Sequence, residues 1–169
     1  MARKIWLYLV LMVLAGCARA PLPPAPEVER IEEYAVRARI LSKKGYDNPY
    51  APVDVVLAWG PLLPTETTQE ATVLQDDRWG WVMANNNDVP RDILQRNTAN
   101  THLITLDRAQ REAVSRLRAG QTAYFEGHLA NVKFADGKQM NSSVSREDVG
   151  NHACEVLVVK KITIIDDGS

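Results

Sequence analysis

GQTAYFEGHLANVKFADGKQMNSSVSREDVGNHACEVLVVKKITII, residues 120–165, holds the pattern that decides the fold. Two runs with strand composition, 122–134 and 138–145, flank Ala135-Asp136-Gly137, and Asp-Gly supplies the positive φ angles that a tight turn requires. The stretch predicts a β-hairpin. Gly127 interrupts the first run, and a glycine inside a strand marks a bulge or a bend at the corner of a curled sheet, so the sheet is expected to curve. A polar loop, 146–152, separates the hairpin from the run 154–165, whose Val156, Leu157, Val158, Val159, Ile162, Ile164 and Ile165 are apolar at both alternating sets of positions. Such a strand is expected to be covered on both faces.

At the other end of the chain, Arg3 and Lys4 precede an unbroken apolar run, 5–14, that is too short to span a bilayer, for which about 20 residues are needed. The run ends in Leu14-Ala15-Gly16-Cys17. This tetrapeptide resembles the lipobox of bacterial lipoproteins. The resemblance implies a signal peptide over 1–16, cleavage before Cys17, thioether lipidation of its sulfur and acylation, palmitate included, of the new amino terminus. Residues 17–30, with Pro21, Pro23, Pro24 and Pro26, then read as a semi-rigid tether, and 31–169 as one globular domain. Ala18, standing where the sorting pattern would otherwise carry aspartate, implies the outer membrane with the domain facing the periplasm.

The 153 residues left after cleavage suffice for one core. They carry 18 basic and 21 acidic side chains, a formal charge of −3, which speaks against a nucleic-acid partner. Moving along the chain, 27–33 suggests a short helical turn. Strands are expected at 34–41, where Tyr34, Val36, Ala38 and Ile40 alternate with polar positions, and at 53–59, where Val53, Val55, Leu57 and Trp59 share a side. Residues 65–71 read as loop; 72–75 and 78–84 form one bulged strand or two short ones, with Trp79 and Trp81 on a common face. One helical turn is expected within 90–97 and a further strand at 100–106. Asp107 is placed to cap a helix over 108–119, Gln110 to complete the capping box and Gly120 to end it.

Several short strands, one helix between the early and late ones and a bent hairpin near the end resemble an oligonucleotide/oligosaccharide-binding (OB) fold, in which a helix plugs one end of a small barrel. The expected class is therefore mainly β, a closed or partly open OB-like barrel with one capping helix; the alternative is a two-layer α+β sandwich. The segments ANTHLI (99–104), EGHLANV (126–132), NSSVSRED (141–148) and GNHACEVLVV (150–159) resemble an uncharacterised family of bacterial conserved hypothetical proteins. That resemblance implies no activity.

Three constellations offer chemistry. Ser143 or Ser145, Asp148, His152 and Cys154 supply nucleophile, base and orienting group, yet no recognisable nucleophile context surrounds the serines or the cysteine. The plainer reading makes Cys154 a buried, inert thiol at the start of a core strand and leaves no catalytic residue. His102, His128, His152 and Cys154 contain metal-ligand types without the paired spacing of structural zinc sites, so neither metal nor other cofactor is expected. Trp59, Trp79 and Trp81 could line a ligand groove, or fill the barrel. The expected function is that of a non-enzymatic, lipid-anchored envelope module that binds another envelope protein or a small ligand. The competing class is a lipid-anchored hydrolase built on Ser143, Asp148, His152 and Cys154.

Overall fold

The computed structural model describes residues 22–68, 71–85, 89–145 and 153–166. In chain order the strands are β1 (Glu27–Gly45), β2 (Val53–Trp59), β3 (Ala71–Asp76), β4 (Trp79–Ala84), β5 (Thr98–Ile104), β6 (Thr122–Lys133), β7 (Gln139–Met140) and β8 (Glu155–Asp166). Helices α1 (Thr65–Thr68), α2 (Arg91–Arg96) and α3 (Arg108–Ser115) lie between them.

The length of β1 sets the architecture. Its 19 residues allow it to pair with two neighbours, β6 along residues 27–39 and β2 along 38–45. From β2 the sheet passes to β5, from β5 to β8 and from β8 back to β6, so five strands make a partly closed ring. All pairs are antiparallel except β5–β8. The molecule is mainly β, a small OB-like barrel with few helices. Closure requires strands to bend, and the bends coincide with register shifts at Arg30/Glu32 and Ile40/Ser42 in β1 and Glu126/Gly127 in β6. Gly127 belongs to the last of these because β8 crosses it closely: a Cβ there would lie 2.1 Å from the Val158 carbonyl oxygen.

Inside the ring, Val36, Ala38, Ile40, Val55, Leu57, Leu103, Phe125, Leu129, Leu157 and Val159 form one apolar cluster. The alternation expected over 34–41 is this inward face. Val114 of α3 and the following Leu117 close one end. The cap is built as its residues demand: the Gln110 amide donates to Asp107 Oδ1 at 2.8 Å, and the Asp107 amide donates to Gln110 Oε1 at 3.3 Å. Lys43 Nζ donates to the carbonyls of Ser115 and Leu117, satisfying acceptors that the helix end leaves open. Gly120, at φ +91°, turns the chain into β6.

Several expectations need correction. Residues 27–33 are strand and not a helical turn, because pairing with β6 overrides the helix preference of a glutamate-rich segment. The hairpin turn at Asp136-Gly137 forms, with Gly137 at φ +85°, but the second strand shrinks to the two residues of β7. Beyond it the chain is held through side chains: the Ser142 amide donates to Asn131 Oδ1 and the Val156 amide to Ser142 Oγ. In β8 only the first five residues are covered on both faces; from Lys160 onward the strand is exposed or half-buried. Four residues of the supposed loop 65–71 form α1, and α3 stops at Ser115 rather than 119.

Replacing Gly127 by alanine is expected to cost about 3 kcal/mol or more, since the Val158 backbone on the adjoining strand has nowhere to retreat. Gly137→Ala, where nothing lies within 4 Å and only the positive φ is lost, should cost about 1 kcal/mol. Urea unfolding at matched slopes measures both, and equal losses would contradict the close crossing at Gly127.

Candidate functional site

The site begins with a charged residue in an apolar strand. Every residue of β2 is buried, because its inner face fills the barrel and its outer face is covered. Asp54 lies on that outer face and is fully buried. A lone carboxylate there would be strongly disfavoured, and the fold supplies two partners. Arg78 donates from Nη1 to Asp54 Oδ1 at 2.7 Å and from Nη2 to the Ala51 carbonyl at 2.9 Å, while its guanidinium stacks on the Tyr46 ring 3.6 Å away. His102, directly opposite Asp54 in the β2–β5 pairing, places Nδ1 3.0 Å from Asp54 Oδ2. Neither atom meets hydrogen-bond geometry with any partner among the described residues, so the contact is a close ion pair.

Arg78 occupies the two-residue turn between β3 and β4. Asp77 and Arg78 both have positive φ, 36° and 72°, as a type I′ hairpin turn requires. Neither is glycine, so the turn is strained, and the Arg78 contacts offset that strain. The Arg78 amide donates to Tyr46 Oη, and Asn100 Nδ2 donates to the Arg78 carbonyl. The β3–β4 hairpin, a separate two-stranded sheet, is thereby fastened to the outside of the barrel at its tip. Gly80 sits so close to Val56 and Asn100 that a Cβ would fall 2.7 Å from each.

Cys154 enters the same outer face immediately before β8. Asn100 Nδ2 lies 3.6 Å from its sulfur. Burial disfavours the imidazolium, but the interactions of Asp54 and Cys154 outweigh it and raise the His102 pKa from 6.5 to about 9. Among the described residues no three His, Cys, Asp or Glu side chains converge as a metal site would need.

Beside these groups opens a groove of about 870 Å³, bounded by β4, by α2 and by the outer face of β5, with Ala153 and Cys154 at its margin. Trp79 and Trp81 line it, stacked with centroids 6.4 Å apart and planes 16° from parallel. They are 37% and 48% exposed, with Leu74 and Met83 similarly bare. All six residues of β4 border the groove, which therefore runs along a strand that among the described residues pairs only with β3. Arg91 is the one charged side chain among the described lining residues.

The residues singled out from sequence fall in different places. Trp59 is buried in the barrel core and takes no part in the groove that Trp79 and Trp81 line. Ser143 is buried near Cys154, its amide donating to the Cys154 carbonyl at 2.9 Å, but its hydroxyl donates to the Ser145 carbonyl and accepts from the Ser145 amide. Asp148, His152 and Cys17 lie outside the described residues. His128 is half-buried on β6, its pKa lowered by burial and by Arg30. Cys154 is half-buried at the groove rather than sealed in the core. Asp54, Arg78, Asn100 and His102 were not linked from sequence; the available signal was an aspartate within Val-Asp-Val-Val-Leu-Ala-Trp and two polar residues at strand spacing in 99–104. The chain matches no protein-family profile, no curated protein and no solved structure.

The raised His102 pKa ties stability to pH. His102 is faced by Asp54 from β2, by Cys154 from the start of β8, and by the Arg78 guanidinium across the same carboxylate. The folded state holds the His102 proton more tightly than the unfolded chain, so the stabilisation is fully present below about pH 6.5 and is lost as pH rises through about 9. Urea midpoints are expected to fall between pH 6 and 9.5, and the fall should be smaller in His102→Gln. A wild-type midpoint that rises over that interval would contradict the assignment.

Proposed function

We propose that the protein is a lipid-anchored envelope module whose β4–α2 groove binds a small, largely apolar ligand. The groove carries this reading: its volume lies within the range of about 300–1,000 Å³ typical of small-molecule sites, and it combines an apolar lining with a few polar groups. Stacked indoles add contact area at low entropic cost. A soluble domain has little reason to leave Leu74, Trp79, Trp81 and Met83 together at the surface unless something covers them. Anchoring through Cys17 rests on the lipobox resemblance and places the groove beside the outer membrane, on its periplasmic side. Among the described residues β4 pairs only with β3, which favours one second reading, in which an extended segment of another envelope protein adds to its other edge as a strand.

Anilinonaphthalene sulfonate serves as the probe, with an aromatic body for the indoles and a sulfonate for Arg91. The full chain in lipid nanodiscs is expected to bind it saturably at one site above an empty-nanodisc blank, and Trp81→Ala should weaken binding about tenfold with the urea midpoint unchanged. Unsaturable binding, or equal binding by Trp81→Ala, would overturn the small-ligand reading.

A further inference from the structure

We infer that the outer face of the β3–β4 hairpin rests in the headgroup region of the lipid bilayer to which the chain is anchored, with Trp79 and Trp81 at its centre. The inference rests on the anchoring through Cys17 proposed above and not on the small ligand. Strand alternation and the β3–β4 register put Thr72, Leu74, Asp76, Trp79, Trp81 and Met83 on this face, while Gly80, Val82 and Ala84 turn to the barrel. Leu74, Trp79, Trp81 and Met83 are all exposed. Among the described residues no strand other than β4 exposes more than two large apolar side chains, and the two on β8, Ile164 and Ile165, are consecutive and so point to opposite faces. Asp76 is the one charged side chain on the hairpin face, and Lys44 Nζ stands 2.8 Å from its Oδ1.

The attachment of the chain identifies lipid as the cover. Tyr50 Oη donates to the Pro23 carbonyl at 2.7 Å and Pro26 is buried, so the tether is fastened to the barrel before β1 begins. Cys17 precedes Pro23 by six residues, which reach at most about 20 Å. The loop that makes this tie also holds the hairpin: Arg78 donates from Nη2 to the carbonyl of Ala51, the residue after Tyr50, and from its amide to Tyr46 Oη. From its turn the hairpin extends through the six residues of β4, again about 20 Å. The apolar face therefore lies within reach of the surface that holds the acyl chains, and so short a tether keeps that surface at a high effective concentration, which makes even a weak contact an occupied one. Indoles suit the boundary, because the ring is apolar and its N–H finds acceptors among the headgroups. Trp79 and Trp81 also border the groove, so the seat brings lipid to its edge.

Depth-resolved quenching tests the seat. The chain carrying its Cys17 lipid is reconstituted in phosphatidylcholine vesicles and floated on a density gradient, and indole emission is compared between plain vesicles and vesicles whose lipid is brominated near the carbonyl end or near the methyl end of its acyl chains. The floated protein should lose about half of its emission to the shallow bromines and less to the deep ones, because an interfacial face enters only about 5–10 Å into the boundary of headgroup and acyl chain. Trp79→Phe/Trp81→Phe should abolish the quenching, since Trp59 is held in the barrel core. Should that variant not fold, the comparison of shallow with deep bromines in the wild type still decides. Floated protein with equal emission in plain and brominated vesicles, or with quenching that survives in the folded double variant, overturns the seat while anchoring stands. Stronger quenching by the deep bromines overturns it in favour of an acyl chain lodged in the groove. Protein that fails to float overturns the anchoring, and the seat falls with it.

Discussion

A fully buried carboxylate, Asp54, is the constraint on which the outer half of this structure depends. Water is excluded on one side by the barrel core and on the other by the β3–β4 hairpin, so its charge must be met by protein groups. Arg78 and His102 meet it from opposite directions, and each brings something with it. The arginine carries the hairpin, whose strained turn places the guanidinium between Asp54 and Tyr46. The histidine ties β5 to β2 across the strand pair. Removing one partner of such a buried pair typically costs about 3–5 kcal/mol, larger than the cost of a strained turn, so the ion pair decides where the hairpin sits.

The barrel prepares this arrangement. Bulges in β1 and the close crossing at Gly127 let five strands curl far enough for β5 and β8 to meet in parallel. That short pairing brings Asn100 and His102 beside Cys154 on the outer face, while the inner face keeps a packed core plugged by Val114 and Leu117. The hairpin then stands over that face, tied by Arg78 and pressed close at Gly80. Leu94 of α2 packs with Val82 and Ala84 of β4, and a groove remains between these elements and β5. Its apolar walls and the polar groups at its margin therefore have one origin.

What could be read from sequence was local. The Asp136-Gly137 turn, the Asp107 capping box, the β2 run and the bend at Gly127 each announce themselves within a few residues, and together they specify a small curled β-domain. Pairing across long separations was not legible. Residues 27–33 look helical in isolation and become strand only because β6 offers them an edge. His102 was weighed only as a metal ligand, whereas the β2–β5 pairing sets it against the buried Asp54. Trp59, Trp79 and Trp81 look alike in composition, and only the topology sends the first inward and leaves the others at the groove.

Amide hydrogen exchange on the Asp54→Asn protein tests the central role of that carboxylate most directly. Loss of the charge removes the reason for Arg78 to hold the turn, so amides of residues 71–84 should lose protection by two orders of magnitude or more, about 3 kcal/mol, while those of β1 and β6 in the ring keep theirs. Unchanged protection of residues 71–84, or an equal loss throughout the barrel, would contradict the account.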